Sequence, residues 1–529
     1  MIPDAVFPFA AEIVVIVVAM AIYLGGTFAG ARGVWRWIAL AGLAAAGGIL
    51  WAWPMAATAM SPLMADQLSD YVRWLSLGAG ILLVGINWRP LSGPSTPEYL
   101  GSLLLAIAGT MLAASARDLV LLFVSLELIS IPTYILLYLG RSDTDSQEAA
   151  AKYFYLSVFA SALLLYGFSF LYGSAGSMDL GTIHDRLESL RDTGESMGVF
   201  AKIALALILA GLGFRIAAFP FHFYAADVFQ GTTHENAALL SVLPKIAGFV
   251  ALVRVVAVGM AGVESYAWPA ALVLAVLTMS FGNVVALWQD NVRRLLAYSS
   301  IAHAGYMLVG LTVFLALGAD RPAAWDGAGA MLFYLMVYAV ASLGAFAVLA
   351  VFGTRDRQLD SVDQLAGLAW SAGPLRPIMA CLLAVFLLSL TGIPPLAGFW
   401  GKLSVFASSL NAGGVEPGEV NRWFVVLAIV GVVNSAIAAA YYLRVLAAMF
   451  FRSPSETLQV RQGIGGPVVA AMACAVLTVV LIGFSPGPWL GWASTSSPRV
   501  AAKSQKASPA IATQSAGPDT GQLAPDRLQ

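Results

Sequence analysis

Charged side chains are scarce in this sequence. Asp, Glu, Lys and Arg together make up 11% of its 529 residues, and hydrophobic residues make up 59%. A soluble domain carries about 25% charged residues, so the composition excludes an ordinary soluble protein and predicts an integral membrane protein. The formal net charge of -1 leaves no excess of cations, and we therefore expect no nucleic-acid partner.

Cysteine and histidine are rare as well. The only cysteines, Cys381 and Cys474, lie in separate apolar runs, which excludes a disulfide framework and cysteine-ligated zinc or iron–sulfur sites. The four histidines lie too far apart in the sequence to suggest a haem or metal motif by spacing. We expect no metal and no cofactor in this chain, so any redox centre would belong to another subunit.

Long apolar runs, in contrast, are abundant. A membrane-spanning helix needs roughly 20 mostly apolar residues, and about fourteen runs approach that length. We therefore predict an all-α fold with about fourteen transmembrane helices. The first run lacks a basic segment and a small-residue cleavage site, so we expect it to be retained. The runs lie at residues 5–25, 34–53, 71–88, 99–115, 118–139, 148–173, 199–220, 237–259, 268–288, 295–318, 327–352, 376–410, 423–450 and 465–484.

The loop cations predict the orientation of these helices. Eleven arginines lie in loops after odd-numbered runs, and five lie after even-numbered runs. Because cytoplasmic loops carry the excess of cations, both termini should be periplasmic in a multi-pass protein of a bacterial cell inner membrane. Residues 174–198 should form a polar external loop. Residues 491–529, rich in Ala, Ser, Pro and Gln, should form a disordered tail.

Three charged residues lie well inside apolar runs. Glu127 is in the fifth run, Lys245 is in the eighth, and Lys402 follows the interruption of the twelfth. Each would cost at least about 2.5–3.5 kcal/mol at the bilayer centre, so partners or water must be present. They could be buried structural ion pairs or functional groups. Function is favoured for the set, because a buried lysine can change its protonation state.

Other polar residues have two interpretations. Lys152, near the start of the sixth run, could reach the headgroups or pair with Glu127. His303, about a third of the way into the tenth run, could be a hydrogen-bonded core residue or a proton relay. Lys202 and Arg254 lie toward run ends, where long side chains extend to the headgroups.

The seventh run contains a cation beside a helix break. In residues 211–231, GLGFRIAAFPFHFYAADVFQG, Arg215 precedes Pro220, and His222 and Asp227 follow it. Proline removes a helical hydrogen bond, and non-helical backbone at membrane depth must be buried in protein or line a water-filled cavity. The arginine beside the break therefore predicts a functional site.

The break is duplicated. Runs 199–220 and 376–410 both contain prolines and carry a cation near the break, and they lie five runs apart. An odd shift inverts the topology, so we predict two inverted five-helix repeats, each with a broken helix, as in ion transporters. The predicted units are residues 1–98 (helices 1–3), 99–260 (first half-channel, helices 4–8), 261–452 (second half-channel, helices 9–13), 453–490 (helix 14) and the tail 491–529.

Five segments resemble a known family. They are LELISIPTYIL at 126–136, AAAKYFYLSVFASALLLYG at 149–167, GFRIAAFPFHFYAADVFQG at 213–231, RRLLAYSSIAHAGYM at 293–307 and LSLTGIPPLAGFWGK at 388–402. The chain resembles the proton-translocating, antiporter-like subunits of respiratory NADH–quinone oxidoreductase (complex I), and among them most resembles subunit N. Fourteen helices also match that family.

The resemblance implies a role for each motif residue. Glu127 matches a glutamate that pairs with a lysine, and Lys152 a lysine that begins the sixth helix. Lys245 matches the lysine that connects two half-channels. His303 matches a histidine of a central polar axis, and Lys402 the lysine of the broken twelfth helix. The implied mechanism is proton transfer along this hydrated axis, driven electrostatically by quinone reduction elsewhere in the complex.

The motif around the first helix break departs from the family at Arg215. Arg215 stands where the family has lysine, and a guanidinium does not deprotonate at accessible pH. Arg215 can therefore attract or orient charge but cannot be a proton station. His222 and Asp227 become secondary candidates, with His222 the titratable group nearest to Arg215 in sequence.

The resemblance also implies partners and leaves alternatives. The expected activity is that of a translocase subunit without its own redox centre. Its expected partners are the other membrane and peripheral subunits of complex I, the lipid bilayer and protons, with FMN, iron–sulfur clusters and quinone in partner subunits. The alternatives are a subunit of a related multisubunit cation/proton antiporter or membrane-bound hydrogenase, and a divergent structural copy that no longer conducts.

Overall fold

The computed structural model describes residues 9–28, 33–53, 58–60, 62–88, 96–141, 143–192, 198–260, 262–317, 326–353, 359–413, 419–454 and 465–498. Almost all of these residues are helical. The helices are α1 (Ala10–Phe28), α2 (Val34–Ala52), α3 (Gln67–Ile86), α4 (Thr96–Ser115), α5 (Leu119–Gly140), α6 (Thr144–Ala175), α7 (Leu180–Asp192), α8 (Val199–Ile216), α9 (Phe223–Gly231), α10 (His234–Leu252), α11 (Glu264–Ala286), α12 (Val292–Leu317), α13 (Gly327–Leu349), α14 (Leu375–Thr391), α15 (Ala397–Gly413), α16 (Glu419–Phe451), α17 (Gly465–Val476) and α18 (Pro486–Thr495).

Short elements complete the described fold. π-Helical turns at Val253–Gly259 and Leu477–Leu481 continue α10 and α17, and 3-10 turns at Val362–Leu365 and Leu368–Trp370 precede α14. Strands β1 (Thr58–Met60) and β2 (Leu63–Ala65) form a small antiparallel hairpin before α3, with Met60 opposite Leu63.

The predicted all-α membrane fold is confirmed. Each of the predicted runs overlaps a helix or a helix pair. Among the described residues, 11 helices are long and apolar enough to cross a membrane, or up to 12 if a bent pair counts as one span. The number fourteen and the inverted repeats therefore stay predictions.

Three helices form the centre of the protein. The apolar windows of α13 and of α10 with its π-helical continuation are 100% buried, and that of α12 is 89% buried, whereas that of α1 is only 28% buried. Apolar side chains of α1 such as Val17 and Leu24 are exposed, which costs little where the solvent is lipid. Polar side chains on the central helices are therefore removed from both water and lipid.

Much of the predicted polar loop at residues 174–198 is helical, since α6 extends to Ala175 and α7 covers Leu180–Asp192. Within α7, Ile183 and Leu187 are buried, and their spacing of four residues places them on one helix face. Nδ1 of His184 lies 2.7 Å from the carbonyl oxygen of Val258, which attaches α7 to the π-helical end of α10. The loop prediction is wrong because the polar residues of this segment occupy the outer face of an amphipathic helix.

The predicted disordered tail begins inside an ordered helix. α18 extends to Thr495, and the ring of its Trp492 lies 4.4 Å from the ring of Tyr71 on α3, centre to centre. The prediction of disorder from residue 491 is therefore wrong for the end of α18, because its tryptophans anchor this segment against the bundle. Residues 499–529 lie outside the described residues.

Arg254 does not reach the headgroups as predicted. Its side chain is 1% exposed, and its two terminal nitrogens each donate a hydrogen bond of 2.6 Å to Asp66. Its Nε and Nη2 also donate to the carbonyl oxygen of Ala114. The planar guanidinium matches a carboxylate in this two-pronged geometry. The prediction is wrong because the partner is distant in sequence and Asp66 also caps the start of α3.

A second ion pair is buried near the start of the chain. Glu12 of α1 is buried against Arg73 of α3. Nε of Arg73 donates to Glu12 at 2.5 Å, with the two side chains 0% and 1% exposed. This pair joins α1 to α3 outside the predicted half-channels.

Both predicted helix breaks are present. α8 ends at Ile216 because Ala217 adopts a left-handed conformation, with φ of 56°, and α14 ends at Thr391 because Gly392 has φ of 94°. A non-glycine residue in this region is uncommon. A short helix, α9, follows the first break, and α15 follows the second. The cations differ in position, since Arg215 precedes the first break and Lys402 follows the second.

Candidate functional site

Arg215 is the centre of a polar cluster in the first predicted half-channel. It lies in the last turn of α8 with its side chain 5% exposed, and its Nη2 donates to Oε1 of Glu127 at 2.9 Å. Its Nη1 donates to Oγ of Ser130 at 2.6 Å and to the carbonyl oxygen of Leu126 at 3.1 Å. Oγ of Ser161 donates to the same carboxylate oxygen at 2.5 Å.

The Arg215 cluster, formed by these five residues, can hold charge in a fixed place. Both terminal nitrogens of the guanidinium donate hydrogen bonds to acceptors of α5, so the packing of α5 against α8 sets its orientation. Arginine does not release its proton. The guanidinium therefore holds a permanent positive charge beside the Glu127 carboxylate, which is 22% exposed.

Lys245 begins a second group of polar side chains at the centre of the protein. It lies in α10 and is 2% exposed, and its ammonium group donates to the carbonyl oxygen of Ser300 on α12. The same nitrogen lies 5.4 Å from the centre of the Tyr338 ring on α13. The hydroxyl of Tyr338 in turn donates to Oγ of Ser300 at 2.7 Å.

His303 continues this group one helical turn along α12. Its Nδ1 lies 2.7 Å from the hydroxyl oxygen of Tyr334, and its Nε2 lies 3.1 Å from that of Tyr442. The ring of Tyr338 lies 5.1 Å from the imidazole ring. Because Tyr334 and Tyr338 are four residues apart, they share one face of α13, and both point toward α12.

Lys402 is the far end of the group. Its ammonium group donates to the carbonyl oxygen of Thr391 at 2.8 Å and lies 4.9 Å from the centre of the Tyr306 ring. The ring of Tyr306 also contacts that of His303, at 5.7 Å between centres. We call Lys245, Ser300, His303, Lys402 and the tyrosines Tyr306, Tyr334 and Tyr338 the central axis.

The helix break explains the position of Lys402. The last carbonyl groups of a helix lack intrahelical partners, and a cation near that end is favourable. The break after Thr391 therefore provides an acceptor for the ammonium group. A Cβ atom at Gly392 would lie 2.9 Å from Cδ of Lys402, and one at Gly398 would lie 1.7 Å from the carbonyl oxygen of Ser389. Both glycines are needed for this close approach of α15 to the end of α14.

Lys152 does not pair with Glu127. Its ammonium group binds Glu148 at 2.7 Å and Asp227 at 3.1 Å, and its side chain is 41% exposed. The alternative prediction of a Glu127 partner is wrong because α9, the short helix after the first break, brings Asp227 to the start of α6. Arg294 donates to the other oxygen of Asp227 at 2.6 Å.

Glu148, Lys152 and Asp227 border a polar cavity of about 230 Å³, which Gln230 also lines. Burial raises the pKa of the Asp227 carboxyl, but the hydrogen bonds from Lys152 and Arg294 outweigh burial and hold its pKa below the ordinary value. Lys152, Asp227 and Arg294 therefore form a charged group near the surface, apart from both the Arg215 cluster and the central axis.

His222 lies apart from the other predicted residues. It is 7% exposed, and its ring packs against Phe281 at 4.5 Å and Phe219 at 5.4 Å between centres. Its Nδ1 has no hydrogen-bond partner among the described residues. The structure therefore brings together Glu127 with Arg215, Lys245 with His303 and Lys402, and Lys152 with Asp227, but places His222 alone.

The tyrosines and serines were not among the predicted site residues. Tyr334 and Tyr338 carry a weak signal, because they are four residues apart in an otherwise apolar helix. Ser300, three residues before His303, carries another. Tyr442 has no such signal, since only the packing of α16 against α12 brings it to His303. In the part of the chain that the structure describes, no group of three or more His, Cys, Asp or Glu residues could hold a metal ion.

The site lies within a region that matches a known protein family. The sequence model of the family described as NADH:quinone oxidoreductase/Mrp antiporter, transmembrane, matches residues 116–438. This region contains the Arg215 cluster, the central axis and the group around Asp227.

Curated relatives match over most of their length. NADH-quinone oxidoreductase subunit N 2 of Roseiflexus castenholzii is 39% identical over 80% of this chain and 82% of that protein. NADH-quinone oxidoreductase subunit N of Trichlorobacter lovleyi is 34% identical over 91% of this chain and 95% of that protein.

Solved structures agree with the sequence relatives. A chain of respiratory complex I from Thermus thermophilus, with bound aureothin, is 34% identical, with a TM-score of 0.73 over 91% of this chain and 98% of that chain. A chain of the Mrp complex from Dietzia has a TM-score of 0.76 over 94% of this chain and 97% of that chain, at 20% identity. The second likeness shows the fold alone.

Proposed function

Since this chain belongs to the NADH:quinone oxidoreductase/Mrp antiporter family, and within it to the subunit N group, we propose that it translocates protons as a subunit of NADH–quinone oxidoreductase. Quinone reduction elsewhere in the complex would drive this translocation. The match over most of the length of the subunit N relatives supports the choice of complex, and the central axis supports proton transfer.

The observation that carries the proposal is the burial of two lysines without a carboxylate. Lys245 and Lys402 are 2% and 5% exposed, and neither forms an ion pair with any described residue. A buried ammonium group without a counter-ion is costly, whereas the neutral amine is tolerated. An ion pair therefore accounts for the burial of Arg215 beside Glu127 but not for the burial of these lysines.

The geometry supports a route between the two lysines. Lys245 and Tyr338 both contact Ser300, and His303 lies one turn farther along α12. Imidazole can accept a proton on one nitrogen and release one from the other, and the two nitrogens of His303 face different tyrosine hydroxyls. Tyr306 then lies between His303 and Lys402. We propose that protons pass in this order, through the hydroxyl groups and water between them.

The first half-channel has a different chemistry in this proposal. Arg215 holds a permanent charge, and Glu127 is the group that binds and releases a proton. The two inverted repeats, residues 99–260 and 261–452, would each contribute one half-channel. The left-handed residues that end α8 and α14 support this arrangement, since both helices stop in the same way.

The remaining expectations are also part of the proposal. The protein would reside in the cell inner membrane with periplasmic termini. Its partners would be the other membrane and peripheral subunits of complex I. FMN, iron–sulfur clusters and quinone would be bound by those partners, and the surface group of Lys152, Asp227 and Arg294 would supply charge where protons approach from solution.

Two other functions have specific support. The matched family includes the Mrp antiporters, which favours a cation/proton antiporter as the second candidate. A divergent structural copy is favoured only by Arg215, which replaces an exchangeable group in the resemblance. The two uncompensated lysines oppose this third candidate, because a spacer would have no need to bury them.

Purification of the native assembly tests the proposed function. We expect extraction from its own membrane to yield this chain together with the peripheral NADH-oxidising subunits, identified by mass spectrometry. After reconstitution into liposomes, NADH and quinone together should acidify the lumen, measured with a pH-sensitive dye. Co-purification with antiporter subunits and a sodium-dependent pH change would instead establish the second candidate.

Exchange of Arg215 for lysine tests the first half-channel. Arg215→Lys should retain or raise NADH-driven proton translocation, because an ammonium group can still bind Glu127 and can also exchange its proton. The measurement is dye quenching per NADH oxidised in the reconstituted complex. Arg294→Lys, at the surface group, is the matched control. Complete loss of translocation in an assembled Arg215→Lys complex would mean that the guanidinium has acquired an essential role of its own.

A further inference from the structure

A deep apolar groove lies on the side of the protein between α3 and α13. It has a volume of about 640 Å³ and is also bordered by α2, α18 and the π-helical end of α17. Along α3, the lining residues Asp70, Trp74, Gly78 and Leu82 repeat every four residues, so they form one stripe along the helix. We call this cavity the α3 groove.

The length of the α3 groove matches one leaflet of a membrane. From Asp70 to Leu82 the helix rises roughly 18 Å, at about 1.5 Å per residue. The hydrocarbon core of a bilayer is about 30 Å thick, so the groove extends over about half of it. This is the depth of a single acyl chain that starts at the headgroup level.

The two ends of the groove differ in chemistry. Trp51 at the end of α2 and Trp489 in α18 line it together with Asp70, and tryptophan is enriched at membrane–water interfaces. Asp70 is the only charged residue among the groove-lining residues. Arg73 attracts the Asp70 carboxylate electrostatically, but its Nε donates to Glu12, and no described residue forms a hydrogen bond or an ion pair within 4 Å of the Asp70 carboxylate. The groove therefore has a negative group at its mouth and apolar walls below it.

We propose that the α3 groove binds a phospholipid with an ammonium headgroup, such as phosphatidylethanolamine. One acyl chain would lie along α3, and the ammonium group would bind Asp70. A helix of a partner subunit fits less well, because a helix segment of the same length, about 10 Å wide, occupies roughly 1,400 Å³. The volume of the groove lies in the range of about 300–1,000 Å³ that is typical of small-molecule sites.

The bound lipid would pack against the face of α13 that is turned away from the central axis. Met336, Val340 and Leu343 of α13 line the groove, whereas Tyr334 and Tyr338 of the same helix belong to the central axis. The lipid would therefore contact the helix that carries two axis residues without touching the axis itself. This inference does not depend on the proposed function, because it concerns occupancy of the groove.

A glycine in the groove allows a clean blocking variant. No heavy atom lies within 4 Å of a Cβ atom placed at Gly78, so Gly78→Leu should fill the groove without a clash. Gly48 on α2 is equally open and does not line the groove, so Gly48→Leu is the matched control. Asp70→Asn removes the charge at the mouth and leaves the apolar walls unchanged.

Photolabelling of the intact native assembly tests the proposal. The probe is phosphatidylethanolamine with a photoreactive group on one acyl chain, used in phosphatidylethanolamine/phosphatidylglycerol vesicles. We expect labelled peptides from α3 and α13, loss of this labelling in Gly78→Leu, and full labelling in Gly48→Leu. Asp70→Asn should reduce labelling at least about tenfold, as expected for loss of a charge-assisted hydrogen bond. Excess unlabelled phosphatidylethanolamine should compete in the unmodified protein, which keeps the test valid should a variant fail to fold.

Three results would overturn the proposal. The first is labelling of the groove that persists in Gly78→Leu. The second is a phosphatidylglycerol probe that labels the unmodified protein as strongly as the phosphatidylethanolamine probe does, with the labelling by both probes unchanged in Asp70→Asn. The third is an absence of groove labelling by either lipid while a partner subunit can be cross-linked to Gly78→Cys, because the occupant would then be protein.

Discussion

Replacement of Lys402 by alanine is expected to abolish proton translocation and to depress NADH–quinone electron transfer while the complex still assembles. Lys402 is the last group of the central axis, and its neighbours Thr391 and Tyr306 offer no other basic nitrogen. Loss of one positioned proton-transfer group typically costs about 100-fold or more, so proton flux should fall at least to about one hundredth. Lumen acidification per NADH oxidised is the measurement.

A second substitution separates charge from proton exchange. Lys402→Arg keeps a cation beside the α14 terminus but cannot release its proton, so it should assemble well and still fail to translocate. Lys202→Ala is the control, because Lys202 packs on the Tyr266 ring, at 4.5 Å from its centre, outside both polar groups. Unchanged translocation in both Lys402 variants would refute the relay role of this residue.

Replacement of Glu127 by glutamine is expected to have the largest effect on stability. It leaves the Arg215 guanidinium, 5% exposed, without its counter-ion. Breaking a buried ion pair costs about 3–5 kcal/mol, and the partial exposure of Glu127 makes the lower end of this range the expected loss. The measurement is the thermal unfolding of the purified assembly, together with the amount of this subunit that it retains.

The paired substitution distinguishes structure from proton transfer. In Glu127→Gln combined with Arg215→Gln both charges are absent, so stability should recover toward that of the unmodified protein, as a double-mutant cycle would measure. Proton translocation should remain low, because the exchangeable carboxylate is still missing. Glu148→Gln is the control, since that carboxylate is 64% exposed and such pairs contribute about 1 kcal/mol or less. Equal losses in Glu127→Gln and Glu148→Gln would contradict a buried ion pair.

Much of the fold could be predicted from the sequence because apolar run length and proline position are local properties. The runs overlap the helices, and both breaks occur close to the prolines of the seventh and twelfth runs. The amphipathic helix α7 was missed because its polar residues outnumber its buried ones. Its short apolar stripe is buried only because α7 packs against the π-helical end of α10.

The sequence identified several residues of the candidate site but not which of them contact one another. Lys245, His303 and Lys402 could be named because charged or titratable side chains in apolar runs are rare enough to stand out. Their connection through Tyr334, Tyr338 and Ser300 required the packing of α10, α12 and α13. The partner predicted for Lys152 was wrong for the same reason, since the position of Asp227 depends on the path of the chain after the break at Pro220.

The sequence alone therefore determined that the protein spans a membrane, where two helices break and which charged residues lie within apolar helices. These properties follow from the cost of polar groups in lipid, which acts on each segment separately. Only the tertiary structure decided that Arg215 is bound to Glu127, that Lys245 and Lys402 have no carboxylate partner among the described residues, and that Arg254 is buried against Asp66. Ion pairs and hydrogen bonds depend on distances between segments remote in the chain, and only the folded bundle sets those distances.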